Sequence, residues 1–443
     1  MSEATRKPGP GRRPLRILML STFYPPFSFG GDAVGVQRMA QALARRGHQV
    51  SVVHDEDAYL TLGGKEPQSP APADGVRRIG LRARHSMLSN LLTQQTGYPL
   101  VHGREIRRIV EQGHFDIVWN NNASLITGPG MLAPGDGLHV YEAHEHWLVC
   151  PTHVLWRHDR ELCDARQCLR CALSYRRPPQ IWRATGLLER NLDKVDLLIA
   201  KSAFSRDKHR EFGLKHDMEV LPYFLPAASA DSAAGHGDSG DTDGAPAAPH
   251  DRPYFLFVGR LEKIKGLQDV IPVFDSYGDA DLLILGDGDY ADTLKRQAAG
   301  NRRIRFLWRK SLDELTAYYR GALGLIVPSV CYETFGIILI ESFRLGTPVI
   351  ARRLGPFPEI VEAAGGGALF GNREELLAAM RALQRSPELR ARQSQAARDA
   401  FARLWQEEAV LERYGAAFAR AARRKGADAL ARMLEAGLFE NGA

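Results

Sequence analysis

The segment Ser329-Val330-Cys331-Tyr332-Glu333-Thr334-Phe335-Gly336 leads from the apolar run GLIVPS into IILIESFRLG, and it sets two carboxylates, Glu333 and Glu341, eight residues apart. That pattern predicts Glu333 just before a helix and Glu341 about two turns inside it, where 100° per residue brings both to within roughly 80° of one direction. Carboxylates accept hydrogen bonds from sugar hydroxyls. A helix start between them, with free N–H groups and a positive dipole end, suits a diphosphate. A solvent-facing helix with two ordinary glutamates would show the same spacing, so the pair gains weight only from its surroundings.

Those surroundings hold more groups of the same kind. VGRLEKIKGL (258–267) carries Arg260 and Lys265, two cations able to stabilise the charge that develops on a departing nucleoside diphosphate. In TFYPPFSFGGDAVG (22–35), between a strand and a helix, Gly30 and Gly31 would let backbone N–H groups approach a phosphate. The spacing is not that of a dinucleotide fingerprint, which disfavours a nicotinamide cofactor. The run LHVYEAH ends in His144-Glu145-His146, and strand alternation does not separate His144 from His146 once the strand has ended. Cys150, Cys163, Cys168 and Cys171 form a C-x12-C-x4-C-x2-C cluster. The cluster is read either as a tetrahedral structural zinc site or as four reduced thiols, with no catalytic metal implied. Asp287-Gly288-Asp289 imitates a metal-binding Asp-X-Asp but directly follows a buried strand, so it reads as a turn.

Parallel sheets would position these residues. From Arg16 onward, short apolar runs (RILMLST, HQVSVVH, DIVWNNN, LHVYEAH, DLLIAKS, MEVLPYF) alternate with helical patterns, and the alternation restarts with YFLFVGR, DLLILGDG, RIRFLW, GLIVPS and PVIARR. This describes two doubly wound α/β domains, in which ligands bind at the carboxyl ends of the strands. The expected division is a disordered basic tail (1–15), an N-terminal Rossmann-like domain (16–225) with a Cys-rich insert (150–171), a disordered linker (226–252), and a C-terminal Rossmann-like domain with closing helices (253–443).

The chain has 443 residues, 25% charged and 44% hydrophobic, with a net charge of +6, which fits anionic ligands or acidic lipid head groups. Dense basic patches of the nucleic-acid-binding kind are missing, so no nucleic-acid partner is expected. No apolar run reaches the ~20 residues of a spanning helix, and a cytoplasmic location is expected.

The run YETFGIILIESFRLGTPVIA resembles the donor-site signature of the family 4 glycosyltransferases. VGRLEKIKGL, LLILGDGDY and the PS at 328–329 resemble further segments of that family in the same order. The resemblance implies a GT-B fold, two Rossmann-like domains facing across a cleft, with C-terminal helices packing back on the core. It also implies retaining transfer of a hexosyl unit from a nucleotide-diphosphate sugar. By resemblance, Arg260 and Lys265 hold the pyrophosphate, Glu333 accepts from the donor sugar and Glu341 from the ribose. Backbone N–H groups of Phe335 and Gly336 line the phosphates, the Gly30-Gly31 loop approaches the donor, and His144 stands near the transferred sugar. The expected acceptor is a glycan or lipid-linked glycan of cell-surface polysaccharide assembly, met at the inner membrane face through peripheral association. A non-hydrolysing sugar-nucleotide epimerase and a non-catalytic sugar-nucleotide-binding scaffold are the alternative readings.

Overall fold

The computed structural model describes residues 13–67, 73–226, 250–308 and 312–437. Most of the expected tail and linker therefore lies outside the described residues, but their described ends are tied down. Arg13 makes a two-pronged contact with Asp116 at 2.8 and 2.6 Å, and Leu15 is fully buried. His250 and Arg252 both bond Asp281. The tail thus ends before Arg13 and the linker before His250, earlier than composition suggests.

The chain forms two compact units. Unit 1 takes residues up to Tyr223 together with the chain from Val410, and unit 2 runs from Phe224 to Ala409. Unit 1 is built on β1 (Arg16–Ser21), β2 (Gln49–Asp55), β3 (Arg77–Leu81), β4 (Ile117–Asn120), β5 (Leu138–Ala143), the two-residue pair β6 (Trp156–Arg157) and β7 (Glu161–Leu162), β8 (Leu197–Ala200) and β9 (Glu219–Val220). All but β6 and β7 form a seven-stranded sheet ordered β3-β2-β1-β4-β5-β8-β9, every ladder parallel. Strands β1, β4, β5 and β8 read as continuous apolar runs because helices cover both faces of the sheet.

Unit 2 repeats the plan with β10 (Tyr254–Val258), β11 (Asp281–Leu285), β12 (Ile304–Phe306), β13 (Gly324–Val327), β14 (Val349–Arg352) and β15 (Gly367–Phe370), ordered β12-β11-β10-β13-β14-β15 and again parallel. Its core gathers Phe255, Phe257, Leu282, Ile284, Ile326 and Ile350 with helix residues such as Leu294 and Met380. In each sheet the winding reverses next to the first strand, between β1 and β4 and between β10 and β13. Loops diverge at the carboxyl ends there and leave a crevice, which makes these two points the places to look for ligands.

One boundary expectation needs correcting. The sequence reading ends the second domain at 443, yet the chain from Val410 belongs to unit 1. Tyr414 and Phe418, on the helix Glu407–Lys425, are fully buried and pack on Trp119 of β4 with ring centroids 5.6 and 4.9 Å away. Arg420 pairs with Glu219 and Lys425 with Asp196, each at 2.6–2.7 Å. An amphipathic helix shows that it has an apolar stripe but not which surface receives it, so the sequence assigned this helix to its nearer neighbour in the chain.

Candidate active site

In unit 2 the loop after β10 runs from Gly259 to Gly266 and meets the loop after β13. Val330 N–H donates to Ile264 O at 2.9 Å, and Gly266, at φ +73°, lies so close to Pro328 that a Cβ there would sit 2.0 Å from its carbonyl oxygen. This close approach places Lys265 beside Glu333 across 68 residues of sequence, Nζ to Oε1 at 2.6 Å, and Ser329 Oγ donates to the same oxygen at 3.1 Å. Burial disfavours the Lys265 ammonium, but Glu333 outweighs that and raises its pKa above the ordinary lysine value. Burial likewise opposes ionisation of Glu333, and Lys265 reverses this and holds the carboxyl below its usual range. Both groups are charged at neutral pH. Their side chains keep 27% and 22% exposure, so a ligand can reach them.

Arg260 stands on the same loop with 48% of its side chain exposed and pairs with Glu262 at 2.7 Å. Leu261 N–H donates to Asp287 O, and Tyr290 N–H to Leu261 O, both at 2.9 Å, so the Asp287-Gly288-Asp289 turn supports the Arg260 loop. Gly336 caps the helix Ile337–Arg344 at φ +103°, and a Cβ there would meet the Phe357 ring at 2.7 Å. The helix begins later than the spacing suggests. Residues 333–336 are not helical, and Glu341 is the fifth helical residue rather than two turns in, so the angular argument linking it to Glu333 does not apply. The side chain of Phe335 is buried in the core.

In unit 1 the corresponding point is built from uncharged polar groups and the carboxylate of Asp32. Thr22 N–H donates to Asn122 O at 2.6 Å and Asp55 N–H to Thr22 O at 3.2 Å, which ties the ends of β1, β2 and β4 together. Gly30 caps the helix Gly31–Arg45 in an extended conformation, and Asn122 Nδ2 reaches Asp32 Oδ2 at 3.4 Å. His144 lies one residue past β5, buried, with Nδ1 on the Tyr223 hydroxyl and Nε2 at 3.1 Å from Asn121 Oδ1. Asn121 donates its amide N–H to Trp119 O, so its oxygen faces the ring, Nε2 carries the proton, and Tyr223 donates to Nδ1. Burial pulls His144 down to about 4, so it is neutral at pH 7 with both nitrogens engaged. His146 is buried elsewhere, 5.2 Å from the His209 ring, and His144 is the histidine that lies next to the strand end.

Sequence reasoning missed Asn121, Tyr223 and Ser329, although the polar run Asn120-Asn122 at the end of an apolar strand was a usable signal. It also missed the buried group behind His144. Lys201, Glu142 and Tyr414 bond one another, Tyr414 donating to Glu142 and Lys201 to Tyr414 at 2.8 Å each. No sequence signal links residues so far apart. The four clustered cysteines carry no disulfide and line one small cavity in unit 1.

Two parallel doubly wound sheets, one of them carrying a lysine–carboxylate pair and a glycine-capped helix at its switch point, define the GT-B class of glycosyltransferase. The family model Glycosyltransferase Family 4 matches residues 29–226, and Glycosyl transferases group 1 matches residues 240–400. Phosphatidyl-myo-inositol mannosyltransferase of Mycobacterium leprae is 34% identical over 388 residues, covering 83% of this chain and 88% of the relative. Glycogen synthase of Mycobacterium tuberculosis is 26% identical over 407 residues, covering 87% and 89%. Among solved structures, sucrose-phosphate synthase from Thermosynechococcus elongatus superposes with a TM-score of 0.66 at 18% identity, over 93% of this chain and 99% of that one. Anabaena HepE in complex with UDP gives 0.59 at 16% identity, over 93% and 100%. The chain belongs to the family 4 glycosyltransferases.

Proposed function

We propose that the protein is a retaining hexosyltransferase that uses a nucleotide-diphosphate sugar and passes the sugar to a glycan or lipid-linked acceptor. The observation that carries the reading is the Lys265–Glu333 pair, charged, solvent-reachable and set at the β10/β13 switch point. An incoming pyrophosphate takes over Lys265, with Arg260 as second cation. That frees Glu333 to accept from a sugar hydroxyl, while Glu341 takes the ribose and the backbone at Phe335 and Gly336 the phosphates. His144, neutral and held at both nitrogens, acts in unit 1 as a positioning group near the transferred sugar and not as a proton carrier. The Gly30-Gly31 turn supplies backbone N–H groups. The UDP bound in the HepE complex is consistent with this class of ligand.

The surface of unit 1 supports a lipid-linked acceptor and peripheral contact with a membrane. Met87, Leu88 and Leu91 on the helix Ser86–Thr96 are 72%, 51% and 45% exposed, and Leu100 and Val101 follow at 57% and 44%. Exposed Arg84, Arg104, Arg107 and Arg108 flank them in sequence. Apolar side chains beside guanidinium groups suit an anionic lipid surface. No described helix is long and apolar enough to cross a membrane.

The test is a panel of sugar nucleotides assayed by thermal shift, then transfer with the best binder, comparing wild type with Lys265→Ala and Glu333→Ala. Transfer rates within a few-fold of wild type in both variants would remove this site assignment. Donor alone converted to a new sugar nucleotide would instead indicate an epimerase.

A further inference from the structure

The Cys-rich insert (150–171) supplies none of the residues assigned above to the transfer, yet it contains four of the five cysteines. Cys150, Cys163, Cys168 and Cys171 come from three pieces of chain: the turn after β5, the strand pair β6–β7 with its following residue, and the helix Cys168–Ser174. All four line a single small cavity, together with Val149, Leu155 and Phe212. One backbone donor already points at a sulfur atom, and a hydroxyl that can donate or accept lies beside another. His158 N–H points at Cys171 Sγ at 3.4 Å, and the Thr152 hydroxyl lies 3.3 Å from Cys150 Sγ. Such N–H and O–H contacts are what thiolate ligands need around them.

Two further features of this region lack an explanation within the protein alone. The first is backbone conformation. Of the seven described non-glycine residues with positive φ, four fall here: His153 at 76°, Leu155 at 48°, His158 at 54° and Asp159 at 56°. Each costs about 1 kcal/mol or more and persists only where the surroundings over-determine it. The strand pair between them is two residues long on each side and contributes little toward that cost. The second is charge. Arg183 is held in the interior side of the insert by the carbonyl oxygens of Trp147 and Leu148 and by Gln180, and among the described residues it has no carboxylate partner. Arg183 and Arg166 act electrostatically on Cys168, and Arg157 on Cys163.

We infer that Cys150, Cys163, Cys168 and Cys171 bind one zinc ion as a closed tetrathiolate that pins the insert to the turn following β5. Binding releases one proton from each of the four thiols to solvent, and no oxidant or reductant is required. The resulting cluster has a net charge of −2, and Arg166 and Arg183 supply the compensating cations, Arg157 being already paired with Glu161 and Asp164. Soft thiolates in a tetrahedral set favour zinc, and four protein ligands leave no open position for catalysis. Among the described residues no three of the four sulfur atoms lie within 4.8 Å of one another. Zn–S bonds of about 2.3 Å bring thiolates to within about 3.8 Å, so the ion draws the three pieces of chain inward. The structural consequence falls on the strand end that carries His144. Cys150 N–H donates to His146 O at 2.8 Å and His146 N–H to His153 O at 2.9 Å, so fixing Cys150 fixes the turn behind that histidine. This inference stands apart from the transferase reading, because metal content is measured without donor or acceptor.

The full chain, purified without chelator, is expected to contain about one zinc per molecule by elemental analysis. Cys168→Ser and Cys171→Ser should lose it, while Cys331→Ser, whose thiol lies in unit 2, should keep it. Cobalt added to chelator-treated wild type should give the sulfur-to-metal charge-transfer and intense visible bands of tetrahedral thiolate coordination, a readout that survives even if the serine variants fail to fold. Hydrogen exchange in residues 145–175 should rise on chelation and fall again when zinc is restored. Metal-free protein with five titratable thiols and no cobalt bands would overturn the inference. So would protein missing four thiols without metal, which would mean disulfides instead.

Discussion

The two units share a sheet plan and a switch point but treat polarity in opposite ways. Unit 2 leaves its charged groups, Lys265, Glu333 and Arg260, partly open at the strand ends over an apolar core. Unit 1 buries its polar and titratable groups: Lys201, Glu142, Tyr414, His144, His209 and Asp55 are all less than a tenth exposed. An anionic ligand is held by charges that it can reach, whereas a neutral one is positioned by hydrogen bonds on a rigid frame. Under the proposed function this contrast gives the main phosphate contacts to unit 2 and shape recognition to unit 1. It also makes unit 1 the half whose stability depends on buried polar partners.

The largest effect expected from that dependence is at Lys201. Burial opposes ionisation of Glu142, and Lys201 outweighs it and holds the carboxyl below its usual range. Lys201→Met leaves that carboxylate buried and unpaired, which costs about 3–5 kcal/mol. Denaturant unfolding followed by a unit 1 probe should show it, and the double variant Lys201→Met/Glu142→Gln should recover much of the loss. An equal loss in both would show that packing, and not charge, governs this group.

Next in size is Lys265→Ala, with a drop of about 10²–10³ in kcat/KM, the scale for removing a preorganised contact to developing charge. His144→Ala in unit 1 should cost less, about tenfold. If His144→Ala proved the more damaging, the division of labour between the units would be reversed.

Acid sharpens the contrast. His54, His144 and His209 of unit 1 are each pulled to about 4 by burial, from an ordinary 6.5. Their lowered values mean that the folded state prefers them neutral. The stability they contribute is present above about 6.5 and is lost as pH falls from there toward 4, up to about 3 kcal/mol per histidine. Asp55, pushed up to about 7 by burial, works the other way and contributes stability at low pH that is lost as pH rises toward 7. Unit 1 should therefore unfold before unit 2 on acidification, and Asp55→Asn, which keeps the acceptor for Ala58 N–H, should steepen the decline. Unit-specific fluorescence across pH 4–7 would decide it, and coincident transitions of both units would remove the contrast.

Much of this was legible in the sequence where the signal is local. Apolar β-branched runs gave the strands, and Gly336 was read at the start of the helix after β13, where the structure places it at positive φ. What failed was angular and long-range reasoning. Glu333 was placed just before a helix and Glu341 two turns inside it, but the helix starts only at Ile337, after Gly336 at φ +103°. Lys265–Glu333 and Glu142–Tyr414 lie 68 and 272 residues apart, and no periodicity encodes such meetings. Gly336→Ala tests the first failure. Its Cβ would meet Phe357 in a conformation that costs about 1–2 kcal/mol, so both the stability of unit 2 and the transfer rate should fall.

The smallest effect is the most discriminating. Gly30 has φ −150° and ψ −177°, a conformation open to any residue, and a Cβ there meets only Asp32 Oδ1, at 3.2 Å. Nothing in the free protein requires glycine at this position. Gly30→Ala should therefore change stability by less than about 0.5 kcal/mol. If the backbone after β1 touches the donor phosphate, the added methyl group lies in the ligand's path, and the donor KM should rise several-fold while kcat stays near wild type. An unchanged KM would mean that unit 1 contributes no phosphate contact, leaving unit 2 alone with the donor.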